Sequence, residues 1–207
     1  MKNIYLIFVL FLGSCAKYDI VDTGIARRYT DCTMWEYFQR DSYNWDSVIV
    51  AIEHAGIRDV FDGTNPEYKE ITFFGVTGWS VKMFINHALD GDGNRLYPGG
   101  ICDMPRELCR DMILSHVILG KHFKDEFGYE IKNTHEGGTG VVTLTGDKLR
   151  VFRTTSDFMK VPGAGPEGLG IESDITQQMV MVASADNEMK NGVVHSLVYE
   201  YEWTELY

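Results

Sequence analysis

Two apolar periods divide this chain, and their segregation limits its fold more than any other feature. Between Thr33 and Gly120 most apolar residues recur at helical spacing. Met34, Tyr37 and Phe38 form one such set, and Val48, Ile49, Ile52 and Ala55 form a stripe closed by Gly56. Ser42 or Asn44 is expected to cap that second helix, with Asp46 favouring its positive end. The run VKMFINHAL is expected to be a helix capped by Ser80, and PRELCRDMILSHVILG a helix from Pro105 to Gly120. Only ITFFGV, residues 71–76, reads as a strand in this half. Beyond Lys121 the pattern alternates. VVTL and KLRVF are joined by Thr-Gly-Asp, a hairpin turn, and MVMVAS and NGVVHSLVYEYEW follow as strands. Helices in one block and strands in another imply an α+β domain, not a doubly wound sheet. With 207 residues, 44% of them hydrophobic, the chain can bury one substantial core.

The first residues read differently. Lys2 precedes an apolar run from Ile4 to Leu12, too short for a permanent membrane span and suited to a secretory signal. Leu12-Gly13-Ser14-Cys15 follows directly and resembles the lipobox of bacterial lipoproteins. That resemblance implies cleavage after residue 14, acylation of Cys15, and a domain held to the cell envelope by lipid. Residues 15–30 then read as a tether and residues 31–207 as the domain.

The formal net charge of -11, without any basic run, argues against a nucleic-acid partner. Export permits disulfides, but Cys32, Cys102 and Cys109 are odd in number, so at least one thiol stays free. Cys102 and Cys109 are seven apart, too far along one helix to bridge, and buried inert thiols are the expectation. Gly163, Gly165 and Gly168 have GxGxxG spacing, but Pro162 and Pro166 interrupt the stretch and no helix follows, so a loop is expected there. Asp90, Asp92 and Asn94 have the one-three-five spacing of a calcium loop. Arg95 and Ile101 occupy the positions that need Gly and Glu, so a turn is expected and a partial calcium site is the alternative. The six histidines form no HExxH or HxxxH, and no GxSxG elbow exists. The residues imply no catalytic group, resident metal or cofactor.

Three stretches resemble the fasciclin-like (FAS1) domain. They are WDSVIVAIEHAGIRDVF with ITFFGVTGWSVKMFI, then LSHVILGKHF, then LTGDKLRVF with NGVVHSLVYEY. Together the matches extend over about residues 30–207. The resemblance implies an α+β β-wedge or sandwich with N-terminal and central helices, and a non-catalytic adhesion or binding role. This chain departs from the pattern in four places: Gly75-Val76-Thr77-Gly78-Trp79 at the first turn, Ser115 where a Tyr precedes the central His, an insertion DGDGNRLYPGGICDM, and the ending YEYEWTELY.

His116, Asn191, Gly192 and His195 are the candidate structural motif. His195 sits among apolar residues on both strand faces, so a hydrogen-bonded buried role is expected, with Asn191-Gly192 forming a left-handed turn. Tyr199, Tyr201 and Trp203 are expected on one face of the last strand, opposite Glu200 and Glu202. Trp79 and Tyr97 are the candidate ligand-binding aromatics. The expected role is a lipid-anchored envelope module at the outer membrane of a Gram-negative bacterium, meeting an extracellular protein or glycan. A sugar-binding accessory of a glycan-uptake assembly and an envelope hydrolase are the alternatives.

Overall fold

A computed structural model describes residues 28–203. The lipobox, Cys15 and most of the expected tether lie outside the described residues. Among the described residues five α-helices and seven strands follow in order: α1 (Met34–Arg40), α2 (Ser42–Ala55), α3 (Arg58–Asp62), β1 (Ile71–Gly75), α4 (Gly78–His87), α5 (Arg106–Leu114), β2 (Val117–Leu119), β3 (Thr139–Val142), β4 (Lys148–Thr155), β5 (Glu167–Ser173), β6 (Met179–Met189) and β7 (Gly192–Leu197). The class is α+β, as the segregated periods require.

The strands form one sheet in the order β2-β1-β7-β6-β5-β4-β3. All pairs are antiparallel except β1 with β7. Ile118 bridges Thr143, and the Leu144 N–H donates to the Val117 carbonyl at 2.8 Å, so the two ends of the sheet approach one another. Residues 28–30, at the end of the expected tether, dock on β6: Thr30 N–H donates to the Glu188 carbonyl, and Glu188 N–H to that of Arg28.

Local chemistry sets the helix ends. Thr33 and Glu36 form a reciprocal capping box on α1. Thr77, not Ser80, caps α4, accepting from the Ser80 N–H, so that helix starts at Gly78. Asp41 occupies the cap position of α2 without a side-chain bond to its backbone. The third helix of the first block, α3, is only five residues long and ends at left-handed Gly63. The phenyl and indole rings of Phe38, Trp45, Phe61 and Phe73 meet at centroid distances of 4.7–6.5 Å and join α1, α2 and α3 to β1.

The structure corrects several expectations. The helix predicted from Pro105 to Gly120 stops at Leu114, and Val117–Leu119 pairs with β1. Ser115 and His116 turn the chain between them, because Val117 and Ile118 gain a β1 partner and full burial. Cys102 accordingly lies in a 3-10 turn (Gly100–Asp103) and Cys109 on α5, so they do not share a helix. All three described cysteines are free; Cys32 and Cys109 are buried and Cys102 is exposed. Burial pushes the Cys109 thiol up to about 12. Part of the expected glycine loop is β5: Leu169 and Ile171 enter the core, while Gly168 and Gly170 pair opposite Thr154 and Phe152.

Neither Asn191 nor Gly192 has positive φ, so the expected left-handed turn is absent. Gly192 is needed for close approach instead. A Cβ there would lie 2.3 Å from the Ile71 carbonyl oxygen and 2.6 Å from the Met34 methyl. Asn191 is a buried cross-link, accepting from the Met34 N–H at 2.7 Å and donating to the Phe61 carbonyl at 2.9 Å. The last strand ends at Leu197, which breaks the expected aromatic alternation: Tyr199 is exposed, and Tyr201 and Trp203 are buried.

Candidate functional site

The imidazoles of His116 and His195 are fully buried, and both ring nitrogens of each have partners. His195 stands on β7 opposite Phe74 of β1, with the rings stacked at 5.5 Å. Its Nδ1 accepts from the Asp186 N–H at 3.1 Å, so Nε2 carries the proton and donates to the His122 carbonyl at 3.0 Å. Asp186 has φ 63° and lies in the irregular part of β6, whose register shifts between Ser184 and Asn187. The imidazole therefore pins a β-bulge on one side and the 122–126 loop on the other. Burial depresses its pKa, and the bond to His122 only partly offsets that.

His116 follows α5. Its Nδ1 contacts the Met112 carbonyl at 2.8 Å; a carbonyl only accepts, so in the neutral ring Nδ1 is protonated and Nε2 accepts from the Tyr201 hydroxyl at 2.6 Å, the shorter of that hydroxyl's two contacts, the other being the Trp203 carbonyl at 3.1 Å. Ser115 Oγ and the Trp203 indole N–H also donate to that Met112 carbonyl, at 3.0 and 3.2 Å. These side chains satisfy a carbonyl in the last turn of α5. Burial brings the His116 pKa down to about 4. Sequence places Ser115 where a Tyr was expected, and Tyr201, 85 positions later than His116, supplies the phenol instead.

The open site is elsewhere. The first turns of α2 and α4 lie side by side, and residues three apart on each face the same way. Tyr43 and Asp46 come from α2, Trp79 and Lys82 from α4, and Tyr199 from the segment after β7. They line a cleft of about 440 Å³ together with Asn44. Its three rings are exposed, Tyr43 by 88%, Trp79 by 58% and Tyr199 by 50%. Lys82 Nζ donates to Asp46 Oδ2 at 3.0 Å, and Ser47 donates to Oδ1 through its N–H at 2.6 Å and its hydroxyl at 3.1 Å. Burial raises the Asp46 carboxyl, but Lys82 and Ser47 outweigh it and hold the group below the usual carboxylate range. Tyr199 donates to Asn44 Oδ1 at 2.6 Å, and Asn44 Nδ2 donates to Asp41 at 2.7 Å, which fixes the ring. Gly78 lets the two helix starts meet, since a Cβ would fall 2.6 Å from Asp46 Oδ1. A second hollow of about 210 Å³ adjoins the cleft across Asn44 and Tyr199 and reaches Tyr37, Thr77 and Ser196.

Trp79 is thus in the cleft. Tyr97 is not: it is half-buried, its ring 6.1 Å from that of Phe84, more than one turn further along α4. Sequence reasoning missed Tyr43 and Lys82. Their common signature is a polar or aromatic residue in a first helical turn, three residues from a partner and off the apolar stripe. Asp90 accepts from the N–H groups of Asp92 and Asn94 and from the Asn94 amide, which uses both carboxylate oxygens in the turn. Among the described residues no group of three His, Cys, Asp or Glu side chains is placed to hold a metal ion. Buried Glu172 accepts from Arg150 Nε at 2.7 Å and bonds His135 Nδ1 at 2.5 Å, bracing β4 against β5.

No family model and no curated protein sequence matches the chain. Among solved structures, the chain is similar to a FAS1 domain pair from the insect cell adhesion molecule Fasciclin I, at 14% identity and a TM-score of 0.43. That match covers 80% of this chain and 44% of the other, so the chain spans under half the length of that structure.

Proposed function

We propose that this protein is a non-catalytic recognition module of fasciclin-like type, held at the cell envelope by lipid on Cys15 and binding an extracellular protein or glycan. Its ligand-facing surface is the aromatic cleft between α2 and α4. One observation carries this reading: three exposed rings converge on one cleft, whereas His116 and His195 are spent on internal bonds. Exposed aromatics grouped around a few polar groups are the common currency of binding sites. The outer membrane is the expected location, and mass spectrometry of the mature N-terminus tests the anchor, with an acylated Cys15 expected and an unmodified one opposing it. For recognition, a photo-crosslinking side chain replaces Tyr43 in intact cells, with a second at exposed Val142 on β3 as the control. A discrete adduct at residue 43 and none at residue 142 supports the module; no adduct at residue 43 opposes it.

A further inference from the structure

We infer that the cleft is built for an uncharged glycan, whose pyranose rings stack on Trp79 and whose hydroxyls meet Asp46 and Lys82; this rests on the binding-module reading above. Three features of the cleft lead there. Its walls are flat rings, Trp79, Tyr43 and Tyr199, and flat rings match the C–H face of a pyranose with equatorial substituents. Its charged groups are a carboxylate and an ammonium already paired at 3.0 Å, so the pair contributes no net charge but offers both acceptor and donor sites. A sugar hydroxyl needs just that combination, whereas an acidic ligand would need a surplus cation that the pair does not leave.

One wall of the site is also preorganised. Tyr199 is fixed by its bond to Asn44, and Asn44 by its bond to Asp41, so that ring has little freedom left to lose on binding. The volume of about 440 Å³ falls in the range of small-ligand sites, and the adjoining hollow beyond Tyr199 continues the track. A chain of two or more sugar rings, not a single ring, fits that arrangement.

Fluorescence offers a direct test. Trp35, Trp45 and Trp203 are buried, which leaves Trp79 as the exposed member of the four tryptophans. The probes are cellotetraose and chitotetraose, with tetragalacturonate as the charged comparison. The expected result is saturable binding of a neutral tetrasaccharide by calorimetry, with a blue shift of Trp79 emission and protection from acrylamide. Trp79→Ala is expected to weaken binding at least tenfold with unchanged melting temperature. Tyr199→Phe, which keeps the ring but loses the Asn44 bond, is expected to weaken it about threefold. Preference for tetragalacturonate would overturn the uncharged class. Failure of both neutral probes, alongside a crosslinked adduct at residue 43, would overturn the glycan assignment and leave the recognition module standing; failure of both measurements would remove the two together.

Discussion

Residues 191–203 form one short stretch with two opposite fates. From Asn191 to Leu197 almost every side chain is buried and its polar groups are bonded inward. Two residues later Tyr199 turns outward and becomes a wall of the cleft. The difference separates the side chains that hold the fold together from those left open to solvent. Polar residues that look chemical in the sequence, His116 and His195 above all, complete hydrogen bonds that the backbone would otherwise lack. The surface that can meet a ligand is assembled from residues with no motif, brought together by the close packing of two helix starts.

The comparison breaks first at Gly192. Gly192→Ala forces a methyl against the Ile71 carbonyl, a backbone atom that cannot step aside. A loss of about 4 kcal/mol is expected, seen as a melting temperature lowered by roughly 10 °C. A near-native melt would show that β1 and β7 are not held as close as described.

Acid sharpens the comparison next. His116 has a folded pKa of about 4, below its ordinary 6.5. Above pH 6.5 it is neutral in both states and contributes no pH dependence. As pH falls from 6.5 to 4 the unfolded chain takes up a proton that the folded chain refuses, so stability falls, by about 3 kcal/mol for this group. His195 acts in the same direction. Melting curves of His116→Gln between pH 7 and pH 4 are expected to be flatter than those of the wild type; equal slopes would remove His116 from the account.

His195→Leu leaves the Asp186 N–H and the His122 carbonyl without their partner, and about 2 kcal/mol is expected to be lost. Local amide exchange at Asp186 should accelerate more than exchange in α2. The smallest effect on stability belongs to the cleft. Trp79→Ala is expected to change stability by no more than about 0.5 kcal/mol, because the ring is exposed by 58%. A large loss would mean that the ring is part of the core rather than a binding surface.

How much of this was legible in the sequence follows from which interactions are local. The α+β class came from apolar periods, which are local. The hairpin from β3 to β4 and the strand at His195 were legible for the same reason. The end of α5 was not, because the choice between a further helical turn and β2 is made by β1, some 45 residues away. The strand β5 was hidden by its glycines and neighbouring prolines, which lower strand propensity while Leu169 and Ile171 still fill the core. Asn191-Gly192 looked like a turn because those residues favour one; their tertiary neighbours, Met34, Phe61 and Ile71, gave them a different task. Of the cleft, Trp79 was legible only as one of two candidate ligand-binding aromatics, and Tyr97, the other, lies outside it. The true partners, Tyr43, Lys82 and Tyr199, are joined by packing alone.

The claim that these imidazoles hold the fold together can be tested directly by their proton positions. Nitrogen-15 NMR of the histidine side chains at pH 8 should find both rings neutral, with the proton on Nδ1 of His116 and on Nε2 of His195. Either ring titrating near pH 6.5, or exchanging freely between tautomers, would contradict the account.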